Sequence, residues 1–210
     1  MLLSSQISST QTQIINELGF NQSSFFSLMK YIDLVWTTNE ELNLVSRQLT
    51  PKDFIENHII DCLLPLKYFP ANVKSVADFG SGGGLPAVIY ALQYPNTEFH
   101  LFEKSPKKQD FLNLCKAITP NIKVQAEIPN SLKSIDLITA RGFKPLDVIL
   151  DISRDYYAHG GKYFLLKARS EKINEEFILA KKKFKNLEIK SIPLKSPVLD
   201  VERHLVSINL

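Results

Sequence analysis

Cysteine is almost missing from this chain: Cys62 and Cys115 are the only two among 210 residues, and no CxxC pair or Cys/His cluster accompanies them. That excludes a disulfide framework and a zinc site as the basis of the fold. Both fall inside helical patterns and read as buried small hydrophobes. No run of about 18 apolar residues occurs, so no membrane span is expected. The opening stretch MLLSSQISST has no basic segment and too short an apolar one for a secretory signal, so the expected compartment is the cytoplasm. Charge of one sign is not in excess either. With 25 Lys+Arg against 22 Asp+Glu, the net charge is +3, which permits an anionic partner without demanding one. Glycine is scarce too, and four of the 8 in the chain stand between positions 80 and 84.

What is present, 44% hydrophobic and 22% charged residues, suits one globular unit with an appended element. Residues 1–70 form the expected N-terminal helical element, with apolar residues at three- and four-residue spacings. Its last helix begins with Thr50 as N-cap, Pro51 at the first helical position and Asp53 at the third. From 71 to 210 short β-rich runs alternate with helical ones, including a single helix over PLDVILDISRDYY. That alternation predicts an α/β domain, a mostly parallel sheet covered by helices on both faces. The two final strands, LEIKSIPL and RHLVSINL, have no helix between them and must pair antiparallel.

In such a sheet, the turn after the first strand lies at the carboxyl edge, where ligands bind. Here it reads DFGSGGGLP, 78–86. Gly80, Gly82 and Gly84 make a GxGxG spacing, while Leu85 stands where a dinucleotide fingerprint has its third glycine. No basic residue occupies the turn, and Pro86 removes one N–H from the helix start. The pattern, preceded by Asp78, points to S-adenosylmethionine in a Rossmann-like class I methyltransferase, with a nicotinamide dinucleotide as the poorer match. Glu103, at the end of the second strand, is placed to accept from two ribose hydroxyls. Ala126 and Glu127 stand at the next strand end, near where an adenine ring would lie. No metal is expected.

Six blocks then carry a resemblance: NLVS (43–46), HIIDCLL (58–64), DFGSGGGLP (78–86), ARGF (140–143), LLKA (165–168) and ERHLV (202–206). In order and spacing the chain resembles the RsmG (GidB) family of small-subunit rRNA guanine-N7 methyltransferases. The resemblance implies S-adenosylmethionine as methyl donor. It implies 16S rRNA of the small ribosomal subunit as substrate, at a guanine in a loop near the decoding centre. It also implies cofactor contacts from Gly80, Leu85, Ala126, Glu127 and Arg141. Asn43, His58, Asp61, Lys167, Arg203 and His204 fall in the remaining blocks as candidates for the RNA side or for holding the site, with Arg141, Lys167 and Asn43 the expected catalytic set. Two positions depart from the family pattern: Ala87 follows LP where the family has Gly, and Gln125 replaces a basic residue. Guanine N7 carries a lone pair and no proton, so no general base is required. A monomer is the default expectation. Two alternatives remain open at this point: a methyltransferase of the same fold with another substrate, and a non-catalytic RNA-binding module.

Overall fold

Apolar runs such as VADF and LITA are buried on both faces, which is why they become central parallel strands. A computed structural model describes residues 2–210. The N-terminal helices are α1 (Ser9–Glu17), α2 (Phe25–Leu42), α3 (Pro51–Phe54) and α4 (Asp61–Leu63). Then follow β1 (Ser75–Phe79), α5 (Ala87–Gln93), β2 (Glu98–Phe102), α6 (Pro106–Cys115), β3 (Ile122–Gln125) and β4 (Leu137–Arg141). The chain closes with α7 (Leu146–Ile152), α8 (Arg154–Ala158), β5 (Tyr163–Lys167), α9 (Ser170–Lys183), β6 (Lys190–Pro193) and β7 (His204–Ile208).

The strands form one sheet in the order β3-β2-β1-β4-β5-β7-β6. β1 to β5 run parallel, and β7 is antiparallel to both its neighbours, β5 and β6. The two last strands do pair antiparallel, but it is the later one, β7, that lies against β5. Strand order reverses between β1 and β4, so the loops leaving their carboxyl ends diverge and open a crevice there.

Alternate strand residues face opposite sides. Val76, Leu137, Phe164 and Leu205 pack with α2, α5, α6 and a π-helical segment, Ile55–Ile60, through residues such as Ile32, Val35, Ile59 and Ile89. Ala77, Ile138 and Leu165 pack with α7 and α9, through Leu146, Ile149, Ile173 and Ala180. The N-terminal helices therefore share a continuous core with one face of the sheet. Trp36 packs at the edge of this core against Phe54, with 5.7 Å between ring centroids. Cys62 and Cys115 are both buried, and burial pushes each thiol up to about 12.

Two expected helices differ in detail. The single helix over 145–157 breaks at Ser153 into α7 and α8. The Ser153 hydroxyl donates to the Ile149 carbonyl at 2.8 Å and meets the Tyr163 hydroxyl at 2.7 Å, a local alternative to continuing the helix. The helix starting at Thr50 opens as expected, with a reciprocal Thr50–Asp53 capping box. It then widens into a π-helical segment, Ile55–Ile60, before resuming as α4.

Candidate active site

The glycines after β1 are explained by what crowds the turn. Gly80, Gly82 and Gly84 have φ of +70°, +55° and +87°, a region costly for any residue with a Cβ. A Cβ on Gly80 would run into the Phe143 ring, and one on Gly84 would lie 2.5 Å from Val88 and 3.2 Å from the Tyr31 hydroxyl. At Gly82 the nearest atom, the Gly80 carbonyl oxygen, is 3.8 Å away, so of these three glycines it alone leaves room for a Cβ. The turn is fastened from all sides. The N–H groups of Gly80 and Ser81 donate to the Phe102 carbonyl, at 2.9 and 3.1 Å. The Tyr31 hydroxyl donates to the Gly83 carbonyl at 2.7 Å.

Beside the turn lies a cavity of about 720 Å³, within the range for a drug-sized or nucleoside-sized ligand. Of the residues assigned to the cofactor from sequence, Gly80, Gly82, Leu85, Glu103, Ala126, Glu127 and Arg141 line it. Glu103 accepts from Gly82 N at 2.9 Å and from Ser105 N at 2.8 Å. Those two bonds fix the carboxylate while leaving about half of its four lone-pair sites for ribose hydroxyls. The donor set therefore fits S-adenosylmethionine.

Gly84 and Asp78 do not line the cavity. Gly84 is filled over by Val88 and Tyr31. Asp78 is buried beneath the turn, where its Oδ1 accepts from Thr139 Oγ1 at 2.8 Å, tying β1 to β4. Its Oδ2 has no hydrogen-bond partner among the described residues, and burial pushes the carboxyl up to about 6. Asp78 supports the turn from below, which corrects its expected role as a direct cofactor contact.

A second cavity of about 490 Å³ adjoins the first, and the two share the turn 141–144 after β4 as a common wall. Lys167, Arg203 and His204, expected on the RNA side, all line it, together with Asp61 and Glu176. Arg141 stands in the shared wall. Its guanidinium donates to Asp61 Oδ2 from Nε at 3.3 Å and Nη2 at 3.0 Å, and to the Asn57 carbonyl at 2.8 Å. Arg203 Nε holds the other oxygen of Asp61 at 2.5 Å. One buried carboxylate thus fixes two arginines from β4 and the β7 approach, a charge-assisted network in partial exclusion of water.

The π-helical segment supplies this arrangement. It carries Asn57 and His58, and Asp61 follows at the start of α4, all three meeting one guanidinium; π-turns are frequent at functional sites. Burial first, then the charges of Arg141 and Arg203, lower His58 to about 4. Lys167 is engaged differently from its expected catalytic role: its Nζ donates to Glu176 Oε2 at 2.7 Å and to the Lys144 carbonyl at 2.9 Å. It braces the shared wall. Asn43 lines neither cavity; it terminates α2 in the left-handed conformation, φ +50°, and delivers Leu44 and Val45 to the first cavity. Among nearby aromatic residues, Tyr31 and Tyr163 are fully buried and Trp36 packs on Phe54, whereas Phe143 faces both cavities.

A family model described as "rRNA small subunit methyltransferase G" matches residues 25–206. The chain belongs to that family. It is 62% identical over 192 residues to ribosomal RNA small subunit methyltransferase G 1 of Bdellovibrio bacteriovorus, covering 91% of this chain and 94% of that one. It is 34% identical to the corresponding methyltransferase of Brachyspira hyodysenteriae, over 93% and 96%. Among solved structures, precorrin-6y C5,15-methyltransferase of Geobacter metallireducens matches with a TM-score of 0.54 at 13% identity, over 80% and 94%. Cofactor-bound Rv0187 from MTB matches at 0.58 and 11%, over 86% and 90%. Both fix the fold as that of class I methyltransferases. As a family member the chain is an S-adenosylmethionine-dependent methyltransferase of small-subunit ribosomal RNA.

Among the site residues outside the six sequence blocks is Glu176. Glu176 sits in NEEF, a charged stretch that reads as solvent-facing. The only signal is its phase: Ile173, Glu176 and Ala180 lie three and four apart and share the buried face of α9.

Proposed function

We propose that this protein methylates N7 of a guanine in 16S rRNA, in a loop near the decoding centre. The cofactor would occupy the cavity beside the glycine turn and the target base the adjoining one. The observation that carries the reading is the shared wall: a nucleoside-sized cavity and a cation-lined cavity meet at Arg141–Lys144. When bound, S-adenosylmethionine would supply an electrophilic methyl carbon open to the N7 lone pair, the N–C bond forming as the C–S bond breaks and the thioether leaves with that electron pair. N7 gives up no proton, so the chain's task is positioning and exclusion of water, an effect of roughly 7–11 kcal/mol for well-oriented reactants.

The roles follow from placement. Glu103 takes the ribose hydroxyls, and Ala126 and Glu127 border the adenine. Arg141, immobilised by Asp61, His58 and Asn57, holds the methionine end of the cofactor and lines the entrance to the base. Phe143 is the face against which a splayed base stacks. Arg203, His204 and Lys167 line the base cavity. Asn43 shapes the loop that closes the cofactor cavity. The working unit in this reading is a monomer, and the ribosomal substrate supports a cytoplasmic location.

Labelled methyl transfer to small subunits lacking native methylation, followed by nucleoside mass mapping, tests this. The expected product is 7-methylguanosine at one position of the decoding-region loop. A methyl group on any other atom or nucleotide would overturn the reading while leaving the methyltransferase fold intact.

A further inference from the structure

Glu176 brings an acceptor into a cavity whose other charged side chains are mostly cations. On α9, it lines the second cavity together with Lys144, Lys167, Lys172, Arg141 and Arg203. Its Oε2 is occupied: Leu146 N donates to it at 2.9 Å and Lys167 Nζ at 2.7 Å. Its Oε1 receives no donor among the described residues and is not one of the buried unpartnered atoms, so it keeps accessible surface on a side chain that lines the cavity. The only other carboxylate lining this cavity, that of Asp61, has one oxygen held by Arg141 and the other by Arg203.

The geometry points to Glu176 as the residue that selects guanine, its Oε1 accepting hydrogen bonds from the N1–H and exocyclic amino group of the target base. This rests on the guanine reading proposed above. The Watson–Crick edge of guanine presents those two donors side by side, close enough for one oxygen to accept both. Adenine presents a bare N1 at the same place, and that lone pair would face the carboxylate. A site built to accept such hydrogens rejects a base lacking them, because its own acceptor is then left unpaired. Lys167 and Leu146 N hold the carboxylate in position, which is preorganisation of the kind specificity needs.

The test uses small subunits reconstituted with guanosine or inosine at the methylated position. Inosine keeps N7, O6 and N1–H and lacks only the exocyclic amino group. Single-turnover methyl transfer by the wild-type protein is expected to fall roughly 10- to 100-fold on inosine. In Glu176→Gln the amide oxygen can still accept from Lys167 and Leu146 N, while an NH2 group replaces the free acceptor. This variant should transfer slowly to guanosine, and its guanosine-to-inosine ratio should approach one, with S-adenosylmethionine affinity near wild type. Equal wild-type rates on guanosine and inosine would overturn the assignment without needing any variant to fold. So would a Glu176→Gln protein that keeps the wild-type ratio. Failure of the wild type to methylate guanosine subunits at all would instead overturn the guanine reading, and this assignment with it.

Discussion

Nη1 and Nη2 of Arg141 both lie 3.1 Å from Nδ1 of His58. A guanidinium only donates, so Nδ1 must present its lone pair and the imidazole proton must sit on Nε2. With His58 lowered to about 4, the ring stays neutral above pH 5. One of the 4 histidines should therefore show, in nitrogen-15 NMR, a bare Nδ1 that does not titrate between pH 5 and 8. A His58 resonance moving with a midpoint near 6.5 would contradict the arrangement. In Arg141→Gln the midpoint should rise, since a charge that disfavours imidazolium is gone.

Replacing Arg141 by lysine keeps the charge and removes the planar fork. Lysine cannot satisfy Asp61, the Asn57 carbonyl and His58 at once from a single nitrogen. Methyl transfer should drop about 10- to 100-fold, the range for losing hydrogen bonds that involve charged groups. Stability should change less, because Asp61 keeps Arg203. Full activity in Arg141→Lys would remove the fork from the mechanism.

Glycine substitutions should separate fold from binding. Gly82→Ala makes only an ordinary 3.8 Å contact but must hold φ near +55°, at a cost of roughly 1–2 kcal/mol. It should melt a little early and bind S-adenosylmethionine weakly, since its Cβ enters the cofactor side. Gly80→Ala meets the same backbone cost plus the Phe143 ring, so its melting temperature should fall further. Adding Phe143→Ala should recover part of that extra loss, and a melting series showing no recovery would mean the ring is not the obstacle.

Asp78 and His58 give opposite pH dependences. Asp78 is raised from 3.8 to about 6, so the folded state binds its proton more tightly. Its contribution is fully present below about pH 4 and is lost as pH rises through 6. His58 is lowered from 6.5 to about 4, so its contribution is present above pH 6.5 and lost as pH falls through 4. Each amounts to at most about 3 kcal/mol, and between pH 4 and 6 they offset one another. Asp78→Asn keeps an acceptor for Thr139 and removes the first slope. Denaturant melts should show its stability, relative to wild type, improving from pH 4 to 6; a constant difference would mean Asp78 does not titrate there.

Lys104 and Lys108 border the cofactor cavity, Lys172 the second cavity, and Lys144 both. If phosphates track this rim, Lys104→Glu with Lys108→Glu should weaken subunit binding. The slope of log affinity against log salt should become shallower by roughly 2. An unchanged slope would place the RNA elsewhere.

Much of this was legible beforehand because it depends on local pattern. The helix start at Thr50, the alternation of strands and helices, and the ligand edge at residues 80–85 are each written in a few adjacent residues. What escaped depends on phase or on distant partners. Nothing in HIID shows that its helix widens by a π-turn, or that Asn57, His58 and Asp61 meet an arginine some eighty residues later. Glu176 looks solvated in NEEF and is recognisable only once α9 is rotated onto the sheet. Asn43 and Asp78 sit in the right blocks, but backbone geometry gives the first to a helix end and burial gives the second to the turn's foundation.

The π-helical segment also says something about how this enzyme can be cut and rebuilt. His58 and Asp61 come from the helices that precede the sheet, and Leu44 and Val45, which close the cofactor cavity, from the loop before them. A shortened protein starting at β1 would retain every strand and the whole glycine turn. It would nonetheless leave Arg141 and Arg203 as two cations with their shared counter-charge removed. Any effort to graft this activity onto another sheet has to carry the helical layer with it, in register to the single residue.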